Sequence, residues 1–337
     1  MFNFDETRFV SIQSNAVESG ISARELVASL VRAGARNLYF LGAGGAGVLM
    51  QPAAQLAQRL TTFPVHVVHA AEILAMDAVP LGEHSIVVIP SLSATTLEAL
   101  DVLRFAKNKG ATVITLTGYA DRPVAQEADY NFTVFAADDT SSESFYLQSL
   151  LLVLALLEAT DEYPDFDRVA TELRTLPKLL LDAKRSYEPH ARELAEAIEA
   201  HDYHIISGAG STWPEAWYYG TCILEEMQWI KTRPIHASDF FHGTLELLEE
   251  NTSLLLLKGE DASRVLIERV EAWAPTVSKQ VRTIDAAEVD LPGISPEVRS
   301  LISPVVISTL LERVSAYLEE LTQHPLTTRR YYRQMAY

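Results

Sequence analysis

The chain has 337 residues, 48% of them hydrophobic, with 27 basic against 45 acidic side chains and a formal net charge of −18. That length supports a sizeable core shared between two domains, and the acidic balance excludes an electrostatic nucleic-acid footprint or attachment to an anionic membrane surface. A single cysteine, Cys222, rules out an intrachain disulfide and fits a reducing compartment.

The N-terminus, MFNFDETRF, lacks the basic and apolar regions of a secretory signal, so a cytoplasmic location is expected. NLYFLGAGGAG, from residue 37, reads as a strand, a glycine loop and a helix running to about residue 60. VHVVHA and SIVVIPS follow as strands, ATTLEALDVLRFAKNKG as a helix closed by a glycine, and TVITLTG and NFTVFA as further strands. LLLVLALL at 150–157 is too short to span a bilayer and reads as a buried helix. Residues 165–200 form a charged helical connector, after which the order repeats. YHIISGAGS resembles NLYFLGAGG, with Gly42 matched by Gly208; TSLLLLKGEDASRVLIERVEAW resembles HSIVVIPSLSATTLEALDVLRF, with Pro90 matched by Lys258. QVRTIDAAE then answers TVITLTG. The nearly equal offsets of 166 and 168 point to a duplicated domain. Apolar runs alternating with amphipathic helices predict an α/β class, with parallel sheets flanked by helices on both faces. The tail, HPLTTRRYYRQMAY, is basic and aromatic on an acidic chain.

Three loops invite a ligand. GAGGAG satisfies the dinucleotide fingerprint, but the second strand ends in His69 where a ribose-binding acid should stand, so no nicotinamide or flavin cofactor is expected. SLSATTLE sets three hydroxyls, Ser91, Ser93 and Thr96, between a buried strand and a helix. A helix cap needs one hydroxyl; three at a helix start suit a phosphate. In the second half the matching positions are Gly259, Asp261 and Arg264, which keep no hydroxyl. Asp261 would repel a phosphate, and Arg264 reads as a solvated helix-face residue, so one phosphate loop is expected.

The third stretch is EEMQWIKTRPIHASDFFHG at 225–243. Ser211 or Thr212 caps a helix with Pro214 in its first turn, along which Tyr219, Cys222, Ile223, Glu226, Trp229 and Ile230 share one face at 3.6 residues per turn. Glu225, Gln228 and Thr232 fall on a more polar stripe. A carboxylate on an apolar stripe is costly unless paired or useful, which singles out Glu226, sheltered by an apolar wall, as a candidate base. His236 and His242 are six apart, without helical ligand spacing, and no metal is expected. His236 reads as structural or substrate-lining, and Cys222 as core.

These motifs resemble the sugar isomerase (SIS) domain family from about residue 20 onward. S-x-S-x-x-T after a buried strand is similar to that family's phosphosugar loop. Glu226 with His242 sixteen residues later, in FFHG, resembles the E…H-G-P pattern of the isomerase half of glucosamine-6-phosphate synthase. C-I-x-x-E-M-Q-W (222–229), I-H-x-x-x-F-F-H-G (235–243) and H-P-L-T-T-R-R-Y (324–331) resemble the fructosamine-phosphate deglycases. Ala46 stands where a serine is usual, Thr244 replaces the proline after the histidine-glycine, and Ile223 replaces the synthase lysine, which argues against aminohexose synthesis.

The resemblance implies two tandem SIS domains: an N-terminal segment at 1–20, the first domain at 21–164, the connector at 165–200, the second domain at 201–323, and a tail at 324–337 closing on the site. It implies cleavage of a 6-phosphorylated ketosamine, such as fructoselysine or glucoselysine 6-phosphate, to glucose 6-phosphate and a free amino acid. The alternatives are an aldose–ketose phosphosugar isomerase and a non-catalytic phosphosugar-binding regulator. Catalysis falls to Glu226 and His242. Substrate contacts fall to Gly44, Gly45, Ser91, Leu92, Ser93, Thr96, Glu143 and Ser144. A homodimer with shared sites is implied, with His242 reaching the neighbouring subunit. Asp239 either holds His242 or starts a turn. Arg329 and Arg330 meet a substrate anion or brace the dimer.

Overall fold

The computed structural model describes residues 1–137, 141–163, 165–332 and 334–335, and these divide into two compact units. One unit comprises Asp5–Lys178 with Gly293–Val298. Its sheet holds β1 (Asn37–Gly42), β2 (Val65–His69), β3 (Ser85–Ser91), β4 (Thr112–Thr117) and β5 (Tyr130–Thr133). All are parallel, in the order β2-β1-β3-β4-β5. β1 and β3 are buried along their whole length, which is why they read as unbroken apolar runs: helices cover both faces of a parallel sheet. On one face Tyr39, Leu41, Val87 and Ile89 pack with Val102 and Leu103 of the helix Leu97–Asn108.

The helix Ser141–Ala159 packs against the helices Glu6–Ser22, Arg24–Arg32 and Gln51–Leu60. Most of the N-terminal segment at 1–20 lies in the helix Glu6–Ser22 of this unit. A Cβ at Gly20 would lie 2.8 Å from the Leu151 Cβ, so glycine sets how closely two of these helices approach. Ser142–Ala159 and Pro296–Thr322 are long and apolar enough to cross a membrane, yet 89% and 94% of their apolar windows are buried inside the protein, as core helices are.

The other unit comprises Met1–Phe4, Leu179–Pro292 and Arg299–Tyr337. Its four parallel strands are β6 (Tyr203–Gly208), β7 (Lys231–His236), β8 (Ser253–Lys258) and β9 (Val281–Asp285), in the order β7-β6-β8-β9. This repeats the order of the first four strands of the five-stranded sheet. The direction of strand addition reverses between β1 and β3 in one sheet and between β6 and β8 in the other. A crevice opens at such a switch point, at the carboxyl ends of the strands. Those ends carry Gly44 and Ser91 in one unit, and Gly210 and Gly259 in the other. The predicted connector is a single helix, Phe166–Glu199, and the division between compact units falls inside it.

Buried charge in the second unit is paired, as desolvation requires. Arg313 is fully buried and donates to Glu188 at 2.9 and 3.0 Å and to the Phe2 carbonyl at 2.6 Å. Lys184 donates to the Thr309 carbonyl at 2.9 Å and pairs with Glu312.

His204 on β6 has a titratable consequence. It is 2% exposed, its Nε2 lies 3.0 Å from the His201 carbonyl and its Nδ1 2.9 Å from Ser253 Oγ. Burial lowers its pKa to about 4. The unfolded chain therefore binds the proton first: this contribution to stability is complete above about pH 6.5 and is lost as pH falls toward the folded value. Between pH 7 and about pH 5 the wild type should lose about 2 kcal/mol more stability than a His204→Gln variant. Urea unfolding of both proteins at the two pH values checks this.

Candidate active site

Ser91 ends β3, and residues 92–96 turn into the helix Leu97–Asn108. Ala94 takes a left-handed φ of 52°, which costs a residue with a Cβ about 1–2 kcal/mol. The turn is nevertheless tied down. Ala94 N–H donates to the Ser91 carbonyl at 3.0 Å, Val124 N–H to the Ala94 carbonyl at 3.1 Å, and Arg122 to the Ser93 carbonyl at 3.0 Å. Leu92, an exposed residue, accepts from Gly118 N–H through its carbonyl at 3.0 Å. The loop is shaped before any ligand arrives. Thr96 stands at the helix cap, but its hydroxyl makes no capping bond and lies 3.4 Å from Ser93 Oγ. Ser91 Oγ is buried and has no hydrogen-bond partner among the described residues. Leaving such a hydroxyl unsatisfied costs about 1–3 kcal/mol, a cost that an incoming oxygen removes.

The glycine loop divides its labour. A Cβ at Gly42 would lie 2.4 Å from the Gly47 Cα, so these two glycines let strand and helix touch. Gly44 (φ 53°) starts the short helix Gly44–Val48, with Gly45 next, and a Cβ on Gly44 would meet nothing within 4 Å. Its counterpart in the second unit, Gly210, has φ 54° but no such room. A Cβ there would fall 2.0 Å from Ser263 Oγ and 2.8 Å from Asp261 Oδ1.

Asp261, at the position matching Ser93, fills that second loop. It accepts from Ser211 N–H at 3.0 Å and Oγ–H at 2.5 Å, from Ser263 N–H at 2.8 Å, and from the Ser263 hydroxyl. Burial pushes its pKa up, but the bonds from Ser211 and Ser263 outweigh burial and hold the carboxyl below its usual range. An internal carboxylate thus occupies the position that stands open in the first unit. Arg264 departs from the solvated residue expected: it donates to both Asp285 oxygens, at 2.8 and 2.6 Å, and to the Gly259 carbonyl at 2.9 Å.

The stretch carrying Glu226 differs from the helical wheel. Trp213–Tyr218 is α-helical, but Tyr219–Glu225 is a π-helix and Glu226–Gln228 a last α turn, stopped by Trp229 in the left-handed region at φ 59°. A π-helix bonds i to i+5 and rotates everything beyond it away from 3.6 periodicity. Gln228, expected on the polar stripe, is therefore buried, while Trp229 is exposed. Glu226 does not face an apolar wall. Its side chain is 37% exposed, and Oε1 accepts from Arg329 Nε at 2.8 Å.

The tail is laid against this turn. Gln228 Nε2 donates to the His324 carbonyl at 2.7 Å, Thr322 donates to Gln228 Oε1 at 2.8 Å, and Trp229 meets the His324 ring edge-on at 4.2 Å. Arg330 lies 3.8 Å over the Trp229 ring. Trp229 and Arg330, with Glu226, Arg329 and Tyr331, line a cavity of about 530 Å³.

His242 is exposed, and within the chain no hydrogen bond or ion pair among the described residues joins it to Glu226. Of the alternatives for Asp239, the turn fits: its carbonyl accepts from His242 N–H at 2.9 Å, and its carboxylate faces Ser238 at 3.5 Å. His236 caps the turn Ala237–Phe240, its Nδ1 accepting from Ser238 N–H at 3.2 Å. Burial lowers the pKa of this imidazole and favours the neutral acceptor. Glu143 and Ser144 are buried in the first turn of the helix Ser141–Ala159, where Ser142 Oγ donates to Glu143 at 3.3 Å.

Residues 33–158 match the SIS domain family model. The matched segment contains Gly44, Gly45, Ser91, Leu92, Ser93, Thr96, Glu143 and Ser144, whereas Glu226 and His242 lie beyond it. Along nearly its full length the chain is also similar to the fructosamine deglycase FrlB of Bacillus subtilis, 29% identical over 307 residues, 89% of this chain and 92% of that one. It is similar to fructoselysine 6-phosphate deglycase of Escherichia coli, 25% identical over 307 residues, 91% and 88% of the two chains. A solved Bacillus subtilis structure provisionally described as a phosphosugar isomerase superposes with a TM-score of 0.87 at 28% identity, covering 96% of this chain and all of that one. The resemblance read from the motifs is thereby shown. Two features outside the SIS domain match escaped sequence reasoning, the π-helical turn and the Arg329–Glu226 pair. The paired arginines of the basic tail were the only signal for the latter.

Proposed function

We propose that the protein is a deglycase acting on a 6-phosphorylated ketosamine, built from two tandem SIS domains and working as a cytoplasmic homodimer. The observation that carries the phosphosugar part is the open loop. At equivalent backbone positions a Cβ added to Gly44 would meet nothing within 4 Å, whereas one added to Gly210 would fall 2.8 Å from the Asp261 carboxylate. A site that one unit fills with its own anion suits a bound anion in the other. The buried, unpartnered Ser91 hydroxyl points the same way. The ketosamine part rests on similarity to two proteins named as deglycases.

In this reading Ser91, Ser93 and Thr96 hold the phosphate, with Gly44, Gly45 and Leu92 beside it and Glu143 and Ser144 on the sugar. Anchoring the phosphate restricts the motion of carbon 1. Glu226 takes a proton from carbon 1 of the open-chain ketosamine while His242 protonates the oxygen on carbon 2, giving an enaminol. A proton added at carbon 2 and one lost from nitrogen yield the aldimine. Water then adds at carbon 1 and the amine leaves, releasing glucose 6-phosphate. One carboxylate moves the carbon-bound protons and one imidazole the oxygen-bound ones.

The test is incubation with a panel of 6-phosphorylated Amadori and Heyns compounds, coupling glucose 6-phosphate from the former directly, and fructose 6-phosphate from the latter through phosphoglucose isomerase, to glucose-6-phosphate dehydrogenase. Release from at least one compound is expected. Interconversion of aldose and ketose phosphates without amine release would instead assign an isomerase. Tight sugar-phosphate binding without turnover would assign a regulator.

A further inference from the structure

Arg329 is held in an unusual way for a residue that only braces a tail. Its Nη1 donates to the Leu326 and Thr328 carbonyls at 2.6 and 2.9 Å, which fixes the guanidinium to its own segment. Its Nε donates to Glu226 Oε1 at 2.8 Å. Its Nη2 has no hydrogen-bond partner among the described residues. The group is only 16% exposed and borders the cavity of about 530 Å³, where Lys231 and Arg330 add positive charge on a chain of net −18. The lining sets three cations against two carboxylates, Glu226 and Glu225, the latter accepting from Thr232 at 2.6 Å, and the cation next to Glu226 is fixed from behind.

We infer that Arg329 is a specificity-determining residue that exchanges Glu226 for the carboxylate of the amino-acid part of the substrate, freeing the base when a carboxylate-bearing ketosamine is bound. The inference rests on the deglycase reading above. Carbon 1, the atom Glu226 acts on, is bonded to the amine nitrogen, and in an α-linked amino acid only the α-carbon separates that nitrogen from the carboxylate. A substrate that presents carbon 1 to Glu226 therefore brings a second carboxylate within reach of the same guanidinium. The exchange replaces one carboxylate by another on a fork suited to either, and the unused Nη2 allows the new partner a two-point contact that Glu226 lacks. An amine without a carboxylate offers nothing in exchange. Arg329 then stays on the oxygen that must take the proton.

The experiment compares the 6-phosphorylated ketosamines of alanine and of ethylamine, which differ by the carboxylate alone. Wild type should prefer the alanine compound by about 10- to 100-fold in kcat/KM, the worth of one charge-assisted contact. Arg329→Gln should collapse that preference from both sides, raising KM for the alanine compound and raising kcat on the ethylamine compound. Arg329→Lys, which keeps charge without the fork, should fall between. Equal use of both compounds by wild type, or a variant that slows both alike, would overturn the inference and leave the deglycase reading intact. Should Arg329→Gln lose its circular dichroism spectrum, the wild-type preference and the Arg329→Lys values decide. Absence of release from every ketosamine by wild type would overturn both.

Discussion

Replacing Glu226 by glutamine is expected to lower kcat for glucose 6-phosphate release by about 10²- to 10⁴-fold, the usual worth of a positioned general base. The amide keeps the shape of the side chain and still offers an oxygen to Arg329, so the tail should remain docked. The pair is partly exposed, at 16% and 37% for the two side chains. Such a pair contributes about 0–1 kcal/mol, and the unfolding midpoint should move little. KM should stay within a few-fold, because the hydroxyl loop after β3 is untouched. This split separates the catalytic role from a purely structural one. A glutamine variant that keeps kcat and loses only stability would make Glu226 an anchor for the tail and remove the mechanism. His242→Ala should give a loss of similar kind, since the enaminol needs a proton at the oxygen of carbon 2 as well as one removed from carbon 1.

The parallel sheets were legible because their central strands are buried on both faces. NLYFLG and SIVVIPS can only be core, and their repetition as YHIISG and SLLLLK announced a second sheet of the same order. The hydroxyl loop was legible for a chemical reason: three hydroxyls exceed what one cap can use, and Thr96 makes no capping bond. The surroundings of Glu226 were not legible. A helical wheel assumes one period throughout, and seven residues of π-helix between Tyr219 and Glu225 shift everything that follows. Gln228 turns inward to hold the tail, Trp229 turns out, and Glu226 finds a partner 103 residues later. No local pattern encodes a contact of that separation. Arg264 was misread for the same reason, its bonds running to Asp285 on another strand.

Replacing Ser93 by aspartate should abolish sugar-phosphate binding while preserving the fold, and the chain already contains the control. In the second unit the aspartate at this position, Asp261, accepts from the N–H and hydroxyl of Ser263, two residues on. In the first unit Thr95, two residues after Ser93, points the same pair of donors at Ser93 Oγ, at 3.4 and 3.2 Å. A carboxylate placed there finds waiting donors, so the loop should accept it without strain, and the melting temperature should hold or rise. A phosphate must then compete with a fixed negative charge for those N–H and hydroxyl groups, and like charges within a few ångströms disfavour joint occupancy. Affinity for glucose 6-phosphate, read by titration calorimetry, should fall by at least about 100-fold, some 3 kcal/mol. Ser93→Asn has the size of aspartate without its charge and should lose about tenfold, the worth of one neutral hydrogen bond. The gap between the two variants measures the charge of the ligand at this position. If Ser93→Asp binds glucose 6-phosphate as tightly as the parent, the phosphate is held elsewhere, and the likeness between the filled loop and the open one carries no function.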